Sequence, residues 1–540
     1  MKRVYFRRML AISCVMAAVI SLGLCLPCEG SELNKLSKEE ISDGWILLFD
    51  GETLFGWETH GNCTWKVADG ALMCDTGTDG WLGTKTEFTN FILRLQYRIS
   101  ANGNSGIFFR ADKGPQPWVT GYEMQIWDKD TDNPTGSIYN VVKAKHPGGK
   151  LVTAVEKWQD VEIMADGEHL TVTLNGNKVV DARDAQHRRG VIGVQYHYAG
   201  MKMEVRNVRL KSLGLKSTFN GKDLTGWSII PGHKSVFSVT PEGWLNIRHG
   251  NGQIETKGVW DDFVLQLDVI SNGTHLNSGV FFRGDKGQFW SGYESQIRNQ
   301  WEGNDRTKPV DFGTGGVYFY APARKVVSSD REWFTKTIVA HGNHIAVWVN
   351  GYQVSEFTDI RPRGKDARRN CRLEAGPISL QGHDPTTDLS FRNIKIASYT
   401  PEKGEPAKGT VYGDVYYYCT NCKKEFTASS ADVPPIKCKF CGKVTAVLAK
   451  KYKCKKCASL FIGYIQKYDP ETKRAIKRRK RGLTVSDEEI SSILLSKPGG
   501  QGWIEGHLPE AIDLMSNVSC PECGASGGDI EPVFPKWKAR

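Results

Sequence analysis

The chain carries the same pattern twice. Leu48-Phe-Asp-Gly-Glu-Thr-Leu-Phe-Gly-Trp57 returns as Thr218-Phe-Asn-Gly-Lys-Asp-Leu-Thr-Gly-Trp227, and Ser105-Gly-Ile-Phe-Phe-Arg110 returns as Ser278-Gly-Val-Phe-Phe-Arg283. In the same order, Gly121-Tyr-Glu-Met-Gln-Ile126 returns as Gly292-Tyr-Glu-Ser-Gln-Ile297, Leu174-Asn-Gly-Asn-Lys-Val179 as Val349-Asn-Gly-Tyr-Gln-Val354, and Val205-Arg-Asn-Val208 as Phe391-Arg-Asn-Ile394. Ordered matches of this kind imply an internal duplication. The copies run over 43–213 and 214–399. The 540 residues are too many for one core, so further units are expected beside them.

Each copy reads as strands. Phe91-Ile-Leu-Arg-Leu-Gln-Tyr-Arg-Ile99 and Phe263-Val-Leu-Gln-Leu-Asp-Val269 alternate apolar and polar residues, the period of a strand with one buried face. His169 to Val180 reads as a hairpin turning at Asn175-Gly176, a pair suited to the two positive φ angles of a type I′ turn. Long amphipathic helices are absent, and the 57 glycines fit many tight turns. The expected fold class is all-β, two tandem jelly rolls.

Composition excludes disordered and multi-span membrane classes: 40% of residues are hydrophobic and 24% charged. The net charge of +11 owes much to the run Lys473-Arg-Ala-Ile-Lys-Arg-Arg-Lys-Arg481, so it says little about the repeated domains. Residues 1–30 read as an export signal, with Lys2, Arg3, Arg7 and Arg8 ahead of an apolar stretch from Met9 to Leu26. The rest is then expected outside the cytoplasm, periplasmic, at the cell surface or secreted, with no membrane span beyond that segment. An uncleaved anchor is the alternative.

The five shared motifs resemble the 3-keto-disaccharide hydrolase domain family, once a domain of unknown function. The likeness covers both copies. It implies a concanavalin-like sandwich with a sugar site on a concave sheet, and cleavage of glycosides already oxidised at C3. The 16 tryptophans fit such a partner, since flat pyranose faces pack on flat rings, although most will fill sheet cores.

Alternation places Glu123, Gln125 and Trp127 on one strand face and Asp128 on the other. Arg110 and Trp118 precede them and are expected nearby, while Gln195 and His197 share a face of a late strand. The equivalents in the second copy are Arg283, Glu294, Gln296, Gln381 and His383, with Arg298 and Asn299 replacing Trp127 and Asp128. A ketone at C3 acidifies the C2 proton. Glu123 or His197 is therefore a candidate base for elimination at C1 followed by hydration. Arg110, or a divalent cation of unspecified identity, is the candidate stabiliser of the enolate. Each of these residues also has a purely structural reading, such as an Arg110–Glu123 ion pair or a core histidine. The first copy is the expected catalyst and the second a sugar binder. Cys63 and Cys74 flank a turn at Asp69-Gly70 and are a candidate disulfide.

Residues 400–410 read as a linker, and 411–540 carry four C-x-x-C pairs: Cys419/Cys422, Cys438/Cys441, Cys454/Cys457 and Cys520/Cys523. A two-residue spacer lets both thiolates reach one ion, and two such knuckles complete a tetrahedron. The expected occupant is structural zinc, one site per pair of knuckles; disulfides are the alternative. No βαβ pattern surrounds them, which argues against redox catalysis. A tail of this kind suits docking to a protein partner better than to nucleic acid. The competing functional class is a non-catalytic, lectin-like protein docked through the tail.

Overall fold

The computed structural model describes residues 32–364 and 368–399, and, with short gaps, 414–463, 523 and 530–533. The export signal, the linker and the basic run 473–481 lie outside the described residues.

The alternating segments are strands, and their apolar sides make the cores. Along Phe91–Ile99, Phe91, Leu93, Leu95 and Tyr97 are buried while Arg94 is exposed. The helices of the described residues within the two copies are single turns, such as Pro117–Thr120. The hairpin turns where expected, with Asn175 and Gly176 at φ of 46° and 77°. Asn350 and Gly351 repeat this at 49° and 74°.

Each copy is a two-layer antiparallel sandwich. In the second copy one layer is a five-stranded sheet, in the order Trp227–Ile229, Gly252–Thr256, Ser379–Gly382, Ser278–Phe282, Tyr293–Ile297. The facing sheet has eight strands and includes Phe263–Ser271 and Asp388–Ser398. The first copy has the same layers joined into one eleven-stranded sheet, because the strand Ala71–Thr84 belongs to both. Its first half pairs with Met203–Ser212 and its second half with Val191–Tyr196. It turns between layers near Gly77 and Gly80, at φ of 124° and 149°, where a Cβ would strike the backbone of Asn62 and His60 at 2.3 Å.

Cys63 and Cys74 lie on the paired strands Trp57–Ala68 and Ala71–Thr84. Bulges after Asn62 and Thr64 place Cys63 opposite Gly77 and Cys74 opposite Trp65. The expected Cys63–Cys74 bond is not formed, yet the two thiols lie close enough to hydrogen-bond each other.

The copies are fused side to side. Val264, Val339, Ala346 and Trp348 of the second belong to the hydrophobic core of the first. Trp348 Nε1 donates to the Leu47 carbonyl at 2.8 Å, and Gln266 Nε2 to that of Gly44 at 2.9 Å. His341 Nε2 accepts the Glu87 backbone N–H at 3.1 Å, and His344 Nε2 lies 3.0 Å from the Thr86 hydroxyl. In the tail, Asp414–Cys419, Glu425–Ser429, Ile436–Lys437 and Val444–Leu448 form a small sheet that brings two knuckles together.

Candidate functional site: a glycine-floored trough in each copy

Three adjacent strands build the site in each copy. In the first, Phe108 lies opposite Glu123 and Gly106 opposite Gln125, while on the other side Val194 pairs with Ile107. The next residues in that register are Gln195 and Gly106, so Gln195, Gly106 and Gln125 form one row on one face. The middle member has no side chain. Glu123 fills the space: a Cβ on Gly106 would lie 2.0 Å from Glu123 Oε1. The carboxyl therefore lies over Gly106, between two glutamines. The second copy repeats the device, with Gly279 between Gln381 and Gln296, and a Cβ there 2.4 Å from Glu294 Oε1.

In both copies the inner glutamine is fixed by its own strand. Gln125 Oε1 accepts the Ile126 N–H at 3.1 Å, and Gln296 Oε1 accepts that of Ile297 at 3.1 Å. His197 lies just past the strand Val191–Tyr196 and is exposed. His383 lines a cavity of about 290 Å³ with Glu294, Gln296, Gln381, Trp290 and Tyr318. Trp118 is 39% exposed, and its ring centroid is 6.5 Å from that of Phe108 on the trough floor. Trp127 follows the end of its strand at Ile126 and is half-buried, so alternation no longer fixes its direction. Asp128 turns away as expected, accepting from the hydroxyls of Thr135 and Thr153.

The two arginines are elsewhere. Arg110 and Arg283 have φ of 52° and 54° and are fully buried. Arg110 donates to the carbonyls of Thr89, Gly167 and His187 at 2.7, 2.7 and 3.2 Å, and to Asn90 Oδ1 at 2.9 Å. Arg283 does the same to the carbonyls of Asp261, Gly342 and Arg372 and to Asp262 Oδ1. Neither meets the trough glutamate, so the expected enolate-stabilising role of Arg110 and ligand-binding role of Arg283 are corrected to loop clamps. The positive φ, invisible in strict alternation, turns each guanidinium away from the face on which the glutamate lies.

The two glutamates differ in their surroundings. Burial pushes the Glu123 carboxyl up to about 8. It makes no hydrogen bond to another side chain or to backbone among the described residues. Burial raises Glu294 as well, but the Arg368 guanidinium, at 3.0 Å, pulls it back. Arg368 comes from the segment between Asp359 and Gly376, longer than its counterpart between Asp184 and Gly190.

Sequence reasoning passed over several site residues. Gly106 and Gly279 sit inside quoted motifs, and their signal was a glycine in mid-strand, which marks a close approach. Trp81, paired with Gln195, lies against Gly83 and Gly193, where Cβ atoms would come within 2.4 and 2.7 Å of its ring. His60 stacks on it at 4.1 Å. No repeat signal marks this pair, because the residue opposite Gln381 in the second copy is Gln253. Arg368 also lies outside every shared motif.

In the tail, the sulfurs of Cys419, Cys422, Cys438 and Cys441 all lie within 4.8 Å of one another. Cys419 and Cys441 are 3.7 Å apart, and Cys422 and Cys438 are 3.6 Å apart. Four thiolates about 2.3 Å from a tetrahedral ion would be separated by about 3.8 Å. This cluster can bind a metal. Of the other four cysteines, Cys457 and Cys523 are exposed, while Cys520 and the Cys454 side chain lie outside the described residues. The strand Lys450–Cys454 pairs with Ile530–Val533, beyond the last knuckle in sequence. Among the described residues, no group of three His, Cys or carboxylate ligands gathers in either trough.

Residues 44–211 and 214–397 each match the 3-keto-alpha-glucoside-1,2-lyase-like domain. The chain belongs to this family. As a member of the 3-keto-alpha-glucoside-1,2-lyase-like family it is 26% identical to a 3-keto-disaccharide hydrolase of Bacteroides thetaiotaomicron, over 25% of this chain and 57% of that protein. The chain thus spans little more than half the length of that relative. A Parabacteroides distasonis protein described as a glycosyl hydrolase is 24% identical, over 34% of this chain and all of that one, with a TM-score of 0.31. The carbohydrate binding module CBM66 of Bacillus subtilis is 21% identical over 29% of this chain and 96% of that one, with a TM-score of 0.23. Among the described residues no helix is long and apolar enough to cross a membrane.

Proposed function

We propose that the first copy is a hydrolase of 3-keto-glycosides working by elimination and hydration, with Glu123 as the proton-transfer group. The observation that carries this reading is the buried Glu123 carboxyl, held over Gly106 between Gln125 and Gln195 and pushed up to about 8. A carboxyl near neutrality both takes and returns a proton, the property a general acid–base needs. Glu123 would remove the C2 proton, activated by the C3 ketone. The electron pair forms the C1–C2 double bond, and the C1 oxygen leaves with its bonding electrons and takes a proton. Water then adds at C1 while C2 regains a proton, so the sum is hydrolysis. The Gln195 amide donates to the C3 oxygen as charge develops there, in the place first assigned to Arg110. His197, at the exposed end of the same strand, is the candidate for protonating the leaving oxygen. Trp118 offers an aromatic edge for the outer sugar.

The same reading sets the protein outside the cytoplasm, with zinc on Cys419, Cys422, Cys438 and Cys441 as a structural ion. The four thiolates supply the donor set that zinc favours, and the ribbon is far from any step above in sequence and in role. Turnover of a 3-keto-disaccharide tests the proposal. Glu123→Gln is expected to lower kcat by about 10²–10⁴. Unchanged turnover in a folded Glu123→Gln protein would remove Glu123 from the reaction.

A further inference from the structure

The second site repeats the strand register and the mid-strand glycine of the first but not its chemistry. Arg368 reaches it over the rings of Trp290 and Phe281, with its Cζ 4.2 and 5.0 Å from their centroids. Its Nη2 donates to Glu294 Oε2 at 3.0 Å, and its Nε donates to the Trp290 carbonyl at 3.1 Å. Its own carbonyl is held by the Tyr320 hydroxyl at 2.5 Å and by Arg361 Nη1 at 3.2 Å. A guanidinium held in this way occupies the Glu294 carboxyl and offsets part of the upward push of its burial. No described side chain does this to Glu123.

The cavity beside this pair is nevertheless furnished for a ligand. Trp290 lines it and is 42% exposed, while Phe289 lies beside it. Asn251 and Asn277 bring amides. Gln381, 2% exposed, lines the cavity with its Oε1 lacking a hydrogen-bond partner, an acceptor waiting for a hydroxyl. Aromatic faces beside several amides and a bridged carboxylate suit a neutral pyranose, with an apolar face and equatorial hydroxyls.

We infer that the second copy is a non-hydrolysing subsite that holds a neutral pyranoside, its carboxylate pinned by Arg368, while cleavage belongs to the first copy alone. The inference rests on the first copy being the hydrolase. It assigns the duplication a division of labour: one trough turns substrate over and the other keeps the chain on a sugar-rich surface or a longer glycan.

Two measurements on the full chain test it. Turnover of Glu123→Gln is expected at background, although the second trough is intact; retention of about half the wild-type rate would overturn the division. Calorimetric titration of Glu123→Gln with an unoxidised disaccharide and with its 3-keto form is expected to find two sites per chain. Adding Trp290→Ala, with its melting temperature compared with the parent because Arg368 packs on this ring, should weaken one of them at least tenfold. One site per chain, insensitive to Trp290→Ala, would overturn the second site. A wild-type chain without turnover that still binds two ligands would sink the enzymatic reading and leave the second site standing.

Discussion

At the scale of residues, two glycines and two arginines carry most of the lesson. Gly106 is the floor on which Glu123 rests, so Gly106→Ala must displace the carboxyl. We expect a loss of kcat of at least tenfold together with a lowered melting temperature from the overpacking, read by turnover and calorimetry on one sample. Glu123 itself gives two pH predictions. A base raised to about 8 is active when deprotonated, so kcat/KM should rise with pH and level off near that value. Stability runs the other way. The folded pKa lies above the unfolded one, so the favourable contribution is full below about 4.5 and is lost as pH rises through about 8. Glu123→Gln should therefore be the more stable protein at pH 9, by roughly 1–4 kcal/mol, and nearly equal at pH 4. Chemical denaturation at the two pH values checks the sign. Arg110→Met leaves three backbone carbonyls without their donor, and about 3 kcal/mol or more of destabilisation is expected.

At the scale of elements, alternation held wherever a strand stayed regular and failed where it ended or bulged. Glu123 and Gln125 share a face because Tyr122–Ile126 is an unbroken strand. Trp127 falls just outside it, and Arg110 turns through a positive φ at its own strand's end. The knuckles are the opposite case, since a two-residue spacer fixes local geometry without help from the rest of the chain. Their small sheet gathers four sulfurs beside the buried Phe426. Cys438→Ser is expected to lower bound zinc by one equivalent per chain in metal analysis and to make the tail protease-sensitive, leaving turnover of the sandwich intact.

At the scale of the whole molecule, the two sandwiches behave as one body. The indole of Trp348 is anchored in the first copy's core, so Trp348→Ala should cost about 3–5 kcal/mol and destabilise both copies together. The seam also holds two buried histidines. Burial lowers His341 to about 2 and His344 to about 3, with like charge between them adding to the former. Their folded pKa values lie below the unfolded 6.5, so the stability they contribute is present above 6.5 and is lost as pH falls toward 3. Acid unfolding that begins below about 6.5, and shifts downward in His341→Phe, would report the seam; an unshifted midpoint would assign the acid sensitivity elsewhere.

Repetition, period-two patterning and cysteine spacing are properties of neighbouring residues, so the sequence alone determined the duplication, the strands, the hairpin turns, the family and the first four-thiolate cluster. It also picked out the glutamates and glutamines that adjacent strands gather in each copy, because strand faces are local. What surrounds those side chains was decided by strands distant in the chain: the glycine beneath Glu123, the carbonyl cages around Arg110 and Arg283, the indole of Trp81 and the guanidinium of Arg368. Desolvation and partner choice depend on three-dimensional neighbours, and only the tertiary structure fixes those.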